Sequence, residues 1–408
     1  MVKRTSMTVS TPQGLSGQLD YVGYYAFNYA PSALSASAVS LGMPVRMEPY
    51  EDNELMSIFQ MNLPEGHMLE MLQRRLGKTT TLDPMFLLAM AGSEAGIGRV
   101  FVKSPEFPPG TAMGVELSQL LADQGTGDLF QEMTDAYLMR SGVSGMQPKL
   151  LVPEQSGAVF GKALQPTREL IVKTEGAHFP GLAINEYLCM SIAKEAGIPV
   201  PEFFLSADNK RFVMRRFDRT QAGASIGFED IAVLAGLNAS WKYSLSYEQV
   251  AQILNAYCSV EHRRAALAQL FDQVALSVLV GNGDAHLKNF GVTYENPAQH
   301  IVKMSPAYDI ACTTCYLPSD VLALTLNHQK GLLAARVDLE DFGKNNCKVI
   351  DPLGRIARLV EAMHVVMQTE SDRIDQVPGL RQCFEPSLAR FDKLVAGRPP
   401  SPPCLLDS

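Results

Sequence analysis

Hydrophobic and polar positions alternate with a period of two in short runs near the middle of the chain, "PKLLV", "AVFGKAL" and "ELIVKTE". Runs of this length separated by turns predict a small antiparallel sheet. The period then lengthens. In "GLAINEYLCMSIAKEAG" the residues Ile184, Tyr187, Leu188 and Ile192 share one helical face and a glycine closes the run, which predicts a helix. "EFFLSADNKRFVMRRF" returns to strands through an Asp208–Asn209 turn. From about residue 228 helical periodicity dominates, broken by "GNGDAHLKNFG" and by "MSPAYDIA". Upstream, strand-like "GQLDYVGYYAFNY" precedes helical "MLEMLQRRLG", a small mixed module. Proline and glycine mark "KSPEFPPGTAMG" as a linker and "GRPPSPPCLLDS" as a disordered tail. The chain therefore divides into a mixed module over 1–110, a β-rich segment over 111–227, a helical segment over 228–395 and a tail over 396–408.

Composition narrows the function. A formal charge of −8 argues against direct nucleic-acid binding, because phosphate contacts need clustered Lys and Arg. The basic start "MVKRTSMTVS" lacks an apolar h-region, and no run approaches membrane-spanning length. A soluble cytoplasmic protein is expected. Seven cysteines, an odd number, suit a reducing compartment better than a disulfide framework. Cys312 and Cys315 have zinc-like spacing but no second pair and no flanking His, so they make half a site at most.

A β-sheet with one helix followed by a helical half is the outline of a two-lobed kinase, an α+β fold. Phosphoryl transfer needs a flexible loop over the phosphates, a cation on them, a carboxylate to orient the acceptor hydroxyl, and Mg²⁺ ligands. Asp284 and Asn289 are five residues apart, the spacing between the catalytic Asp and the Mg²⁺-binding Asn of the kinase catalytic loop. Asp309 in "SPAYDIA" lies where a second metal-binding acid belongs. Lys173 sits late in a strand, as a phosphate-pairing lysine would, with Glu186 on the next helix as its candidate ion-pair partner. "SGVSGMQPK", residues 141–149, supplies a loop of small residues.

Six fragments in order, "SGVSGMQPKLLV", "IVKTE", "NEYLCMSIAKEAGIPVPE", "VMRRFDR", "GNGDAHLKNF" and "PAYDI", resemble the HipA serine/threonine kinases, the toxin half of bacterial toxin–antitoxin pairs. The stretch from "NYAPSALSAS" to "NLPEG" resembles that family's N-terminal subdomain, and the likeness is weakest before residue 20 and after residue 340. The resemblance implies a two-lobed protein-kinase-like fold preceded by that subdomain, with ATP and Mg²⁺ as cofactors. It implies Asp284 as catalytic aspartate, with His286 beside the phosphates. Asn289 and Asp309 become Mg²⁺ ligands, and Lys173, Lys288, Ser144 and Gly145 nucleotide contacts. The segment of Arg215 and Phe217 becomes the adenine-holding hinge. Family members often phosphorylate a serine of the glycine-rich loop and so switch themselves off. Here a position where relatives often carry that serine reads Gly142, leaving Ser144 and Ser141 as candidates. Arg215 likewise stands where some relatives have an acid. The implied partners are an aminoacyl-tRNA synthetase as protein substrate and a helix-turn-helix antitoxin of HipB type, with DNA reached only through the antitoxin and no membrane.

Plainer readings stand beside these. Asp284, His286 and Asn289 could cap a turn, Lys173 could be an exposed strand lysine, and Glu186 a solvated helix residue. Trp241 in "NASWKYS" reads as packing, and "DFG" at 341–343 as a helix cap followed by a turn, too far from Asn289 to be the kinase motif. His67 and His178 are assigned nothing. Two other functions share the motifs: a small-molecule phosphotransferase, because Asp-x-His-x-x-Asn also occurs in aminoglycoside and choline kinases, and a catalytically silent module that titrates a DNA-binding partner.

Overall fold

Alternating burial builds the first sheet. In β1 (Thr5–Thr11) the side chains of Met7, Val9 and Thr11 are buried and Thr8 is exposed, the period of two that a half-buried strand requires. β1 pairs antiparallel with β2 (Gly14–Tyr21), β2 with β3 (Tyr25–Tyr29), β3 with β4 (Tyr50–Asp52), and β1 on its other edge with β5 (Phe101–Lys103). Gly17 lets β3 approach, since a Cβ there would lie 2.0 Å from the Asn28 carbonyl oxygen. The computed structural model describes residues 5–77, 81–91, 96–105, 114–122, 149–154, 169–175 and 179–401. Ser141, Gly142, Ser144, Gly145 and His178, the run "AVFGKAL" and most of the expected linker lie outside them.

The chain is mixed α/β with antiparallel sheets, and its contacts group it into two compact units. The first gathers Met1–Thr174, Ser206–Ala239 and Thr293–Ile301. Besides β1 to β5 it holds β6 (Lys149–Pro153) and β7 (Glu169–Thr174), with β7 pairing antiparallel to β6 on one side and to the strand Arg211–Arg215 on the other. Asn209, at φ 61, turns the chain into that strand, the left-handed conformation that Asn tolerates best after glycine.

A buried ion network closes this unit. Arg216 and Arg219 are 5% and 9% exposed. Arg216 donates to both carboxylate oxygens of Asp218, to Glu169 and to the Gly96 carbonyl, and Arg219 to Asp218 and the Gly98 carbonyl. The Gly98 N–H returns a 2.6 Å bond to Asp218. Burial pushes the Asp218 carboxyl up, but the two guanidiniums and the Gly98 amide more than reverse this and hold it well below the usual carboxylate range. A second buried acid, Glu229, receives Ser40 Oγ at 2.7 Å, the Leu41 N–H at 2.8 Å and the Tyr294 hydroxyl.

The second unit gathers Glu175–Leu205, Ser240–Val292 and Val302–Ser408 and is mainly helical. Its axis is the long helix Val260–Val280, buried almost continuously from Ala266 onward, and packed by the helices Tyr247–Tyr257, Leu332–Asn345, Pro352–Thr369 and Leu380–Val395. Ser246 and Gln249 form a reciprocal capping box at the start of Tyr247–Tyr257, and the long helix stops at Gly281, whose φ of 74 is the left-handed conformation glycine adopts most readily. Inside the bundle Asp272 takes Arg355 and Arg358, all three buried. The helix expected from Ile184, Leu188 and Ile192 runs from Leu182 to Glu195. On it Asn185, fully buried, both accepts from the Cys312 N–H at 2.8 Å and donates to the Cys312 carbonyl at 2.9 Å. The six described cysteines are free thiols.

Two expectations are corrected. "DFG" at 341–343 is not a cap and turn but the interior of the helix Leu332–Asn345, with Phe342 and Gly343 buried. Gly343 packs so closely that a Cβ would lie 2.8 Å from Phe271 and Pro352 side-chain atoms, which is why a helix breaker is kept there. Trp241 is not packing, since it is 59% exposed.

Removing one partner of a buried charge network leaves the others uncompensated. Asp218→Ala should therefore destabilise the protein by about 3–5 kcal/mol, read from urea unfolding. A loss under about 1 kcal/mol would mean that water screens these guanidiniums as at a surface.

Candidate functional site

The site starts where the long helix ends. Gly281 offers its carbonyl to the N–H groups of Thr313 and Thr314 at 3.0 and 3.2 Å, and the Gly283 N–H donates to Thr313 Oγ1 at 2.8 Å. Thr313 Oγ1 in turn reaches Asp320. A Cβ on Gly283 would fall 2.2 Å from Asp320 Oδ2, so the glycines flanking Asn282 are needed for this close approach. Asn282, 2% exposed, accepts the Asp284 N–H at 3.0 Å. The turn thus presents Asp284 outward, its side chain 51% exposed.

Five of the expected site residues are held together here. The His286 N–H donates to the Asp284 carbonyl and the Asn289 N–H to the His286 carbonyl, so that Leu287–Asn289 forms a single 3-10 turn. Asn289 Nδ2 donates to the Asp284 carbonyl at 3.1 Å and, more loosely, to the Asp309 carbonyl at 3.4 Å. With the amide nitrogen so employed, Oδ1 is the atom of Asn289 left to meet a cation. Asp309 has φ 61, a left-handed conformation that costs an L residue of this kind on the order of 1–2 kcal/mol. Lys288 is 9% exposed, and its carbonyl accepts the Tyr308 hydroxyl at 2.6 Å.

Electrostatics distinguish the two catalytic candidates. Burial raises the Asp284 carboxyl, a hydrogen bond from Tyr243 lowers it, and the Asp309 and Asp320 carboxylates raise it again. Burial, with the neighbouring Lys242 ammonium, pushes the His286 imidazole down to about 3, so the ring is neutral near pH 7. Its Nε2 lies 3.9 Å from Asp284 Oδ1, a contact and not an ion pair, and its buried Nδ1 has no hydrogen-bond partner among the described residues. Facing acids suit a hard divalent cation. Asn289 Oδ1 and the Asp309 carboxylate are the oxygen donors Mg²⁺ prefers. Among the described residues no group of three or more His, Cys, Asp or Glu could hold a metal ion.

Of the other expected residues, Lys173, Arg215 and Phe217 belong to the first unit and Glu186 to the second. Lys173 in β7 is 3% exposed, opposite Lys149 and Phe212 in the strand register, with Nζ 5.7 Å from the Phe212 ring centre. Arg215 makes a bidentate pair with Glu154 at 3.0 and 2.6 Å, and Phe217 packs edge-on against Phe228 at 5.2 Å. Lys173 is thus no exposed strand lysine. Glu186, 2% exposed, is no solvated helix residue either.

Sequence reasoning missed Tyr243, whose hydroxyl donates to Asp284 Oδ1 at 2.8 Å, and Thr313, which ties down Gly283. Tyr243 lies 41 residues before Asp284, and no local motif announces the contact.

The HipA-like C-terminal domain matches residues 141–370, and the HipA N-terminal domain matches residues 7–103. The Sinorhizobium fredii protein Y4dM, named a kinase by inference, is 28% identical over 297 residues, 68% of this chain and 67% of its own. A Haemophilus influenzae protein named in the same way is 30% identical over 205 residues, 45% of this chain and 57% of its own. Among solved structures, Shewanella oneidensis HipA, determined with HipB and operator DNA, superimposes with a TM-score of 0.62 at 18% identity, covering 95% of each chain. The domain match alone spans more than half of the chain, and the chain belongs to the HipA-like kinases.

Proposed function

We propose that the chain is an ATP-dependent serine/threonine protein kinase of HipA type, a growth-arresting toxin acting on a translation component such as an aminoacyl-tRNA synthetase. One observation carries the reading: a half-exposed Asp284 carboxylate on the loop that also carries Asn289, whose amide ties that loop to the backbone of Asp309 on a second segment. Asp284 accepts the hydrogen bond of the acceptor hydroxyl and takes its proton as the oxygen attacks the terminal phosphoryl group. His286 stays neutral and shapes the loop around that carboxylate. Asn289 Oδ1 and the Asp309 carboxylate hold Mg²⁺, which when bound neutralises phosphate charge. Lys173 and Lys288, with Ser144 and Gly145 of the glycine-rich loop, hold the phosphates, and the segment of Arg215 and Phe217 holds adenine. Ser144 or Ser141 is the residue the enzyme would phosphorylate on itself. A HipB-type antitoxin is the proposed partner, by analogy with the Shewanella oneidensis complex. No described helix is long and apolar enough to cross a membrane.

Labelled ATP and Mg²⁺ should transfer label to a protein in cell extract, identified by mass spectrometry, and the same incubation reads any added mass on residues 141–149. Losing a general base costs on the order of 10²- to 10⁴-fold in rate, so Asp284→Asn should silence transfer while the protein stays folded. Near-normal turnover in that variant would remove Asp284 from its role.

Metal-dependent nucleotide binding gives a separate check. Asparagine tolerates the left-handed backbone at 309, so Asp309→Asn removes the charge alone. Calorimetry should show weaker Mg²⁺·ATP affinity in both Asp309→Asn and Asn289→Ala. Unchanged affinity in both would place the metal elsewhere.

A further inference from the structure

The Asp284 carboxylate has two oxygens with different surroundings. Oδ1 receives the Tyr243 hydroxyl at 2.8 Å, and the Asp284 side chain as a whole is 51% exposed. Tyr243 is itself held on several sides. Its ring meets His286 edge-on, with centres 5.1 Å apart and planes at 78°. Lys242, the preceding residue, accepts the Leu287 N–H at 3.1 Å through its carbonyl, and its ammonium lies 5.3 Å from the Tyr243 ring centre. The turn continues through Trp241, whose carbonyl accepts both the Ser244 N–H and the Ser244 hydroxyl. The segment 241–244 is therefore tied to the catalytic loop by backbone and by ring, while Tyr243 stays 42% exposed.

We propose that Tyr243 is a positioning residue for the phosphoryl acceptor: its phenol anchors Asp284 through Oδ1 and so presents Oδ2 to the incoming serine or threonine hydroxyl. The inference rests on the kinase reading above. A carboxylate free to rotate about its last bond would spend its basicity in many directions, whereas reacting groups must be held within a fraction of an ångström. In the step itself the acceptor O–H bond breaks, its proton passes to Asp284 Oδ2, the new O–P bond forms, and the bond from the γ-phosphorus to the departing nucleoside diphosphate breaks. Tyr243 keeps its own proton throughout.

The test compares the full chain with Tyr243→Phe and Asp284→Asn, using Mg²⁺·ATP, myelin basic protein as the acceptor, and ADP release as the signal. Phenylalanine keeps the ring against His286 and removes only the hydroxyl. Tyr243→Phe should lower kcat by about tenfold or more, with the KM for ATP within about twofold and the thermal midpoint unchanged. Undiminished kcat in Tyr243→Phe, beside an active parent and a silent Asp284→Asn, overturns the positioning role and leaves the kinase reading intact. A fall in kcat matched by a lower thermal midpoint or weaker nucleotide binding also overturns it, because the hydroxyl is then only structural. A parent no faster than Asp284→Asn overturns the kinase reading, and the inference with it.

Discussion

The amide of Asn289 is the constraint on which the site depends. Its one nitrogen bridges the carbonyls of Asp284 and Asp309, so a single side chain fixes the spacing of two chain segments and orients its own oxygen. The loop around it is ordered by the same kind of bookkeeping. Gly281 gives its carbonyl to two amides and Gly283 gives its N–H to a threonine hydroxyl, so buried backbone groups find partners without a helix or sheet. Apolar packing enters only underneath, where Leu287 and Phe290 are buried and the Tyr247 hydroxyl donates to the Ala285 carbonyl at 3.0 Å.

This arrangement explains why the functional groups sit where regular structure stops. From Ala266 to its end the long helix is buried, and that part offers no open side chain for chemistry. Its left-handed end at Gly281 and the left-handed Asp309 turn the chain out of regular structure at the two places where carboxylates must face solvent. Strain of this kind persists only where surrounding contacts fix it, and here the Asn289 bridge, the Tyr308 hydroxyl and the threonine pair supply those contacts.

What could be read from the sequence follows from how local each feature is. The five-residue spacing of Asp284 and Asn289 is visible because both lie on one turn, and the helix of Ile184, Leu188 and Ile192 because its face is periodic. Burial of Lys173 is not visible, since a strand lysine looks the same wherever its sheet is covered. Trp241 shows the converse error: a lone tryptophan suggests a core, yet its place in a turn leaves it outside. Tyr243 was hidden by distance along the chain, as were the pairing of Gly98 with Asp218 and of Leu41 with Glu229, 120 and 188 residues apart. A glycine within "DFG" misled because helix interiors usually exclude it, and only the close approach of Phe271 and Pro352 explains its presence.

The long-range pairs of the first unit bear on how the chain is made. That unit draws on three separate stretches, the last being Thr293–Ile301, and Tyr294 from this stretch completes the hydrogen-bond set of the buried Glu229. A ribosome adding roughly 5–20 residues per second takes on the order of ten seconds to pass from the end of β7 to Tyr294. Until then the hydrogen-bond set of Glu229 stays incomplete, so the first unit cannot close before Thr293–Ile301 has been made. A chain built this way spends much of its synthesis with its first unit unfinished, because a stretch made late must return to a sheet made early.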